Sequence, residues 1–146
     1  MRKRYVVIAM LAIPLLALSW AWAAENADPA AGDPYDACAR ACNDCQRMCD
    51  MCSAYCGRLL ADGKAAHLMA LQTCQDCATH CSAAACIVAR HGPFSDTICK
   101  ACAEACKRCG DECAKFTDDE TMKKCADECR ACEKACRDML SHITTT

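Results

Sequence analysis

The 146-residue sequence carries 19 cysteines, and their spacing decides what chemistry is open to them. One series falls at Cys38, Cys42, Cys45, Cys49, Cys52 and Cys56, in steps of 4, 3, 4, 3 and 4. A second, Cys99, Cys102, Cys106, Cys109 and Cys113, steps 3, 4, 3, 4; a third, Cys125, Cys129, Cys132 and Cys136, steps 4, 3, 4. Cys74, Cys77 and Cys81 keep the same phase in a further segment, and Cys86 follows five residues later, off that face. Alternating steps of three and four put side chains on one face of an α-helix. Sulfur therefore stands at the a and d positions where a helical bundle ordinarily carries leucine.

Thiols so placed could form disulfides, act as nucleophiles or bind metal. Neighbours at i and i+4 on a helix have Cβ atoms about 5–6 Å apart, whereas a disulfide wants about 3.5–4.5 Å. Pairs within one helix are therefore poor disulfides, and 19 is an odd number, but bridges between helices stay open. A catalytic thiol is disfavoured: no cysteine stands apart with a histidine partner, and no carboxylate pair has an apolar pocket around it. Zinc wants closed sites of four ligands, and each four-thiolate zinc site keeps two negative charges, so several stacked in one core would repel. Iron–sulfur clusters use cysteine runs on irregular backbone followed by proline, a pattern absent here. Copper(I) meets the constraints best. It is soft, favours thiolate and thioether, and accepts two or three ligands, so pairs along or between helices suffice. One ion per thiolate also leaves the core neutral, which removes the penalty for burying charge. A disulfide-linked structural or redox protein, and a zinc buffer akin to metallothionein, remain alternatives.

The elements that must carry these residues are helices. Asp33-Pro34 supplies an N-cap acceptor and a proline at the first helical position; helix one is expected from Pro34 to about Ala61, with Gly63 as its stop. Helix two is expected from about Lys64 to Arg90, ended by His91-Gly92-Pro93 with the glycine as C-cap. Helix three runs from near Ser95 to about Phe116. Thr117 to Glu120 reads as a capping box, with Asp118 and Asp119 in the first turn of helix four, which runs to about His142. Four helices with short connections fold most simply as an all-α, antiparallel up-down-up-down four-helix bundle with a Cys-lined core, over residues 34–143.

Residues 1–23 read as a signal peptide: Arg2, Lys3 and Arg4, an apolar stretch from Tyr5 to about Leu18, then Ala21-Trp22-Ala23 as a cleavage site. No cysteine sits at the cleavage point, which argues against a lipoprotein. Residues 24–33 read as a flexible leader. The chain from Ala24 has 14 basic and 19 acidic residues, a formal charge of -5. With no basic stripe and few aromatics, nucleic acid is not an expected partner, nor is a membrane after cleavage. The same stretch holds 11 Val, Ile, Leu and Phe residues, a fraction that ordinarily predicts disorder. The sulfur lining must then supply part of the core, and the metal-free form should be the less stable one.

Such a chain resembles the bacterial copper storage proteins. The likeness lies in the Cys38–Cys56 series, in ICKACAEACKRCGDECAK from Ile98 to Lys115, and in CADECRACEKACRDM from Cys125 to Met139. The resemblance implies a non-catalytic store or buffer of many Cu(I) ions per chain that protects against free copper; all 19 cysteines are candidate ligands, with Cys86, off the seam, departing from the family pattern and open to facing a neighbouring subunit or staying free. It also implies a homotetramer and, for exported members, supply to a copper enzyme. Exported members often carry a twin-arginine signal; Arg2-Lys3-Arg4 has no adjacent arginines, so a Sec-type route to the periplasm is expected. Family members pass copper through Met or His near one bundle mouth. Candidates here are Met48, beside the helix-one seam; Met122 and Met139, which extend the helix-four seam; His67, which extends the helix-two seam; and His80, beside it. Each also fits a plain role as filler or exposed side chain. Leu59, Leu60, Leu68, Leu71 and Phe116 are expected to plug one end, leaving the end near Cys38, Cys99 and Met139 for entry.

Overall fold

The computed structural model describes residues 32–145; the expected signal peptide and most of the leader lie outside the described residues. Four helices follow in order: α1, Pro34–Ala61; α2, Leu68–Ala89, preceded by a single 3₁₀ turn at Ala65–His67; α3, Ser95–Cys113; and α4, Glu120–Thr145. Each packs on two neighbours, α1 on α2 and α4, and α3 on α2 and α4. Cys38, at the start of α1, meets Cys99, at the start of α3, and Cys136, near the end of α4. Near the opposite end, Cys52 and Cys56 of α1 meet Met122 in the first turn of α4. The arrangement is the antiparallel up-down-up-down bundle expected from the sequence.

The helix ends show how local chemistry sets this frame. Asp33 accepts the Tyr35 N–H through Oδ1 at 2.9 Å, with Pro34 at the first helical position. α1 closes in a Schellman turn: Gly63 has φ of 81°, and Lys64 N–H reaches the Leu59 carbonyl at 2.9 Å. α2 closes in the same way, but the left-handed residue is His91 (φ 52°) rather than the expected Gly92. Gly92 takes the next place, donating to the Ile87 carbonyl at 3.0 Å, where a Cβ would itself lie 3.0 Å from that oxygen. The glycine is needed for close approach, and histidine tolerates the positive φ.

The start of α4 also differs from expectation. The cap is Asp119, not Thr117: its Oδ1 accepts the N–H groups of Thr121 at 2.9 Å and Met122 at 3.1 Å. α3 stops at Cys113 rather than near Phe116, because Phe116 turns inward to stack on His67 with ring centroids 4.4 Å apart. Leu71 and Phe116 pack against the core at this end, Leu59 and Leu60 are half-buried, and Leu68 is exposed. Leu68 therefore plays no part in the plug; the helical turn that buries His67 and Ala70 rotates it to solvent.

The outer faces carry ion pairs one turn apart, such as Arg108–Glu104 at 2.7 Å and Lys107–Asp111 at 2.7 Å. Exposed pairs of this kind contribute only about 0.3–0.5 kcal/mol each. The cap reassignment has a direct check. Asp119→Ala should lower the unfolding free energy of the reduced protein by about 1 kcal/mol, while Thr117→Ala, at an exposed turn residue, should change it by less than about 0.5 kcal/mol. Urea unfolding of both variants measures the contrast.

Candidate metal centre

The 3-4 phase of each cysteine series delivers its sulfur atoms to one axis. Eighteen of the 19 thiols are buried and Cys86 alone is exposed. Cysteine is short enough for sulfur atoms of diagonally opposed helices to touch: Cys45 of α1 lies 3.9 Å from Cys106 of α3, and Cys49 lies 4.0 Å from Cys109. Neighbouring helices complete the web, with Cys49–Cys129 at 3.6 Å, Cys81–Cys106 at 3.6 Å and Cys42–Cys132 at 3.7 Å. The lining is thus a continuous column from Cys38 to Cys56, about 27 Å long at the helical rise per residue.

The sulfurs group into overlapping sets of four, each within 4.8 Å of one another. From the Cys38 end these include Cys42, Cys102, Cys132 and Cys136; then Cys45, Cys77, Cys81 and Cys106; then Cys49, Cys109, Cys125 and Cys129; then Cys52, Cys74, Cys113 and Cys125. The separations suit thiophilic ions. With metal–sulfur bonds of about 2.3 Å, the length of a zinc–thiolate bond, a trigonal ion holds its ligands about 4 Å apart and a linear one about 4.6 Å. Cysteines shared between sets can bridge ions along the column. All of these contacts are far longer than the sulfur–sulfur bond of a disulfide, about 2.05 Å.

Crowding controls the protons. Most of the buried thiols are pushed up, which keeps them neutral. Burial raises Cys56 to about 12. At Cys99 the contact with Cys136 pulls down, but the contact with Cys38 and burial outweigh it, and the group also reaches about 12. Cys45, Cys102 and Cys109 move the other way, the first two lowered chiefly by hydrogen bonds from Cys106 and the third by one from Cys113. Their neighbours are raised in consequence: Cys132 and Cys106 by Cys102, Cys49 and Cys129 by Cys109. Cys77 is lowered to about 7, mainly by Cys106. The lowered thiols are thus ringed by neighbouring thiols that stay protonated and donate to them.

The other candidate ligands divide clearly. Met122 is fully buried, with Sδ 3.6 Å from Cys52 Sγ and 3.7 Å from Cys56 Sγ. Met139 is buried at the Cys38 end. Met48 is half-buried and packs at the edge of the core. His67 is buried but faces Phe116 and the Lys64 carbonyl. His80 lies outside the column, in a groove of about 500 Å³ between α2 and α3. Cys86, placed with the other ligands on residue type, sits in a shallow groove between α1 and α2 away from every core sulfur; the five-residue step from Cys81 turns it outward. Sequence reasoning missed Ala84, Ala85 and Val88, which continue the α2 seam past Cys81 as buried aliphatic residues; their 3-4 phase was the available signal.

Comparison with known proteins agrees with this geometry. The family model described as copper storage protein matches residues 31–141. An uncharacterized cysteine-rich protein, YhjQ of Bacillus subtilis (strain 168), is 34% identical over 105 residues, covering 71% of this chain and 94% of that one. The structure of the Cu(I)-bound copper storage protein BsCsp3 superposes with a TM-score of 0.68 at 31% identity, covering 74% of this chain and 99% of that one. The copper storage protein Ccsp from Streptomyces lividans, loaded with 10 copper equivalents, gives a TM-score of 0.66 at 32% identity over 74% of this chain and 84% of that one. With a thiol column of this geometry and a family match over most of its length, the chain belongs to the copper storage protein family.

Proposed function

We propose that this protein stores and buffers many copper(I) ions on the 18 buried thiolates of its bundle core. The observation that carries this reading is the unbroken column of sulfur atoms, spaced for two- and three-coordinate soft ions. The reading has no catalytic step: the thiols are occupied by one another, sealed from solvent, and positioned as ligands. The chain is exported by the Sec-type signal read at residues 1–23, acts in the periplasm as a homotetramer, and supplies copper to an enzyme there. The tetramer and the recipient rest on resemblance, and export on the signal motif. No helix among the described residues is long and apolar enough to cross a membrane.

Copper enters at the end bounded by Cys38, Cys99 and Met139. The plug at the opposite end supports this: Phe116 stacks on His67, with Leu71 packed against the core beside them. Met139 is then the last soft donor before solvent. Met139→Leu should preserve total uptake while slowing loading and chelator-driven removal several-fold, followed by stopped-flow; rates equal to those of the unaltered protein would reject the role.

Titration of the reduced protein with Cu(I) against a strong chelator should show tight binding of many ions, of the order of one per core thiolate by charge neutrality. Saturation near four ions would favour zinc-like sites, and no binding would leave the disulfide alternative. Because most of the thiols are raised and neutral at pH 7, each copper must displace protons. Loading in weakly buffered solution should therefore acidify it, and apparent affinity should fall as pH is lowered.

The same shifts set the stability of the copper-free protein. Cys56 and Cys99 ionise near 12 in the folded chain against an ordinary value of 9.0. Their contribution to stability is full below about pH 9 and is lost as pH rises toward 12. Reduced copper-free protein should melt at falling temperature across that window, and copper-loaded protein, whose thiolates are already ionised, should not.

A further inference from the structure

We propose that Cys52, Cys56 and Met122 form a distinct three-sulfur site for one copper(I) ion at the plugged end of the bundle. We propose further that the Tyr55–Asp119 hydrogen bond sets its geometry. The site rests on the copper-storage reading but differs in chemistry from the rest of the column: two thiolates from one helix and a neutral thioether from another.

The geometry is specific. Cys52 and Cys56 stand one turn apart on α1, and Met122 Sδ crosses from α4 to within 3.6 and 3.7 Å of their sulfurs. All three side chains are fully buried. A trigonal ion needs its ligands about 4 Å apart when its bonds are about 2.3 Å, and both thioether–thiol separations already lie close to that. Leucine would fill the same volume; methionine places a soft, uncharged donor where both thiols can share it. Cys52 also belongs to the set with Cys74, Cys113 and Cys125, so it bridges this site to the all-cysteine column. No proton is lost from the thioether; the Cys56 proton is exchanged for this Cu⁺, and the Cys52 proton is exchanged for an ion of the neighbouring set that Cys52 bridges, so one Cu⁺ still enters per thiolate.

What aims Met122 is the cap of its own helix. Asp119 Oδ1 accepts the Met122 N–H at 3.1 Å, while Tyr55 O–H donates to Asp119 Oδ2 at 2.6 Å. Tyr55 lies on α1 between Cys52 and Cys56. One carboxylate thus ties the backbone of the thioether residue to the helix that carries both thiols, which makes Tyr55 and Asp119 positioning residues.

The test loads reduced, selenomethionine-labelled protein with Cu(I) and records selenium X-ray absorption, alongside a Cu(I) titration against a competing chelator. A copper–selenium shell is expected in the unaltered protein and lost in Met122→Leu, with the other copper equivalents retained. Tyr55→Phe should weaken binding of that single ion about fivefold, the loss of one hydrogen bond, and diminish the shell. Asp119→Asn, which keeps both a cap and a partner for the phenol, should retain it. A selenium shell absent from fully loaded protein, or unchanged in Met122→Leu, overturns the site while leaving the storage reading intact. An unchanged shell in Tyr55→Phe overturns the positioning role. Failure of the unaltered protein to take up copper overturns the storage reading, and the site with it.

Discussion

Everything in this fold depends on sulfur touching sulfur along the bundle axis. Contacts of 3.6–4.0 Å between thiols of adjacent and opposite helices require helices that approach more closely than leucine side chains would permit. Cysteine at nearly every inward position of α1, α3 and α4 allows that approach, and buried alanines such as Ala39, Ala103 and Ala126 flank the same seams. The core is consequently small in volume and polarizable. Its stability without metal comes from weak contacts among short side chains, so the ion that binds there also completes the packing.

The second constraint is charge. Eighteen thiols cannot all ionise in a dry core. The structure meets this by keeping most of them neutral around a few anionic sulfurs, Cys45, Cys102 and Cys109 among them. A monovalent cation removes the conflict one thiolate at a time; a divalent ion bound by four thiolates would not. The preference for copper(I) thus follows from electrostatics as much as from softness, and it couples filling of the column to proton release.

The lining was legible because heptad phase is a one-dimensional property: steps of three and four at Cys38–Cys56 place sulfur inward whatever the helices pack against. Cys86 was separable by the same rule. What the sequence did not disclose were features set by tertiary approach. Thr117-x-x-Glu120 satisfies the capping-box pattern, yet Asp119 wins because its second oxygen also binds Tyr55 from α1. Gly92 looks like the left-handed residue, yet its backbone must pass close to Ile87, and His91 takes the positive φ. Leu68 resembles core, yet seam residues His67 and Ala70 turn it outward. Met122 could be placed on the seam from its spacing, but its approach to two particular thiols could not.

α2 breaks the symmetry of the bundle, and the two ends differ because of it. Its buried sulfur is confined to Cys74, Cys77 and Cys81; His67 and Ala70 precede them, and Ala84, Ala85 and Val88 follow. At the Cys38 end the column therefore meets aliphatic α2 residues on one side and soft donors, Cys38, Cys99 and Met139, on the others. At the opposite end α2 presents an imidazole already engaged with Phe116, and Met122 provides the last soft donor within contact of the thiols. A column with unlike ends gives its ions unlike surroundings even where the intervening thiols are nearly equivalent. Exchange with solvent is then governed by the residues that terminate the sulfur, while capacity is governed by the thiols between them.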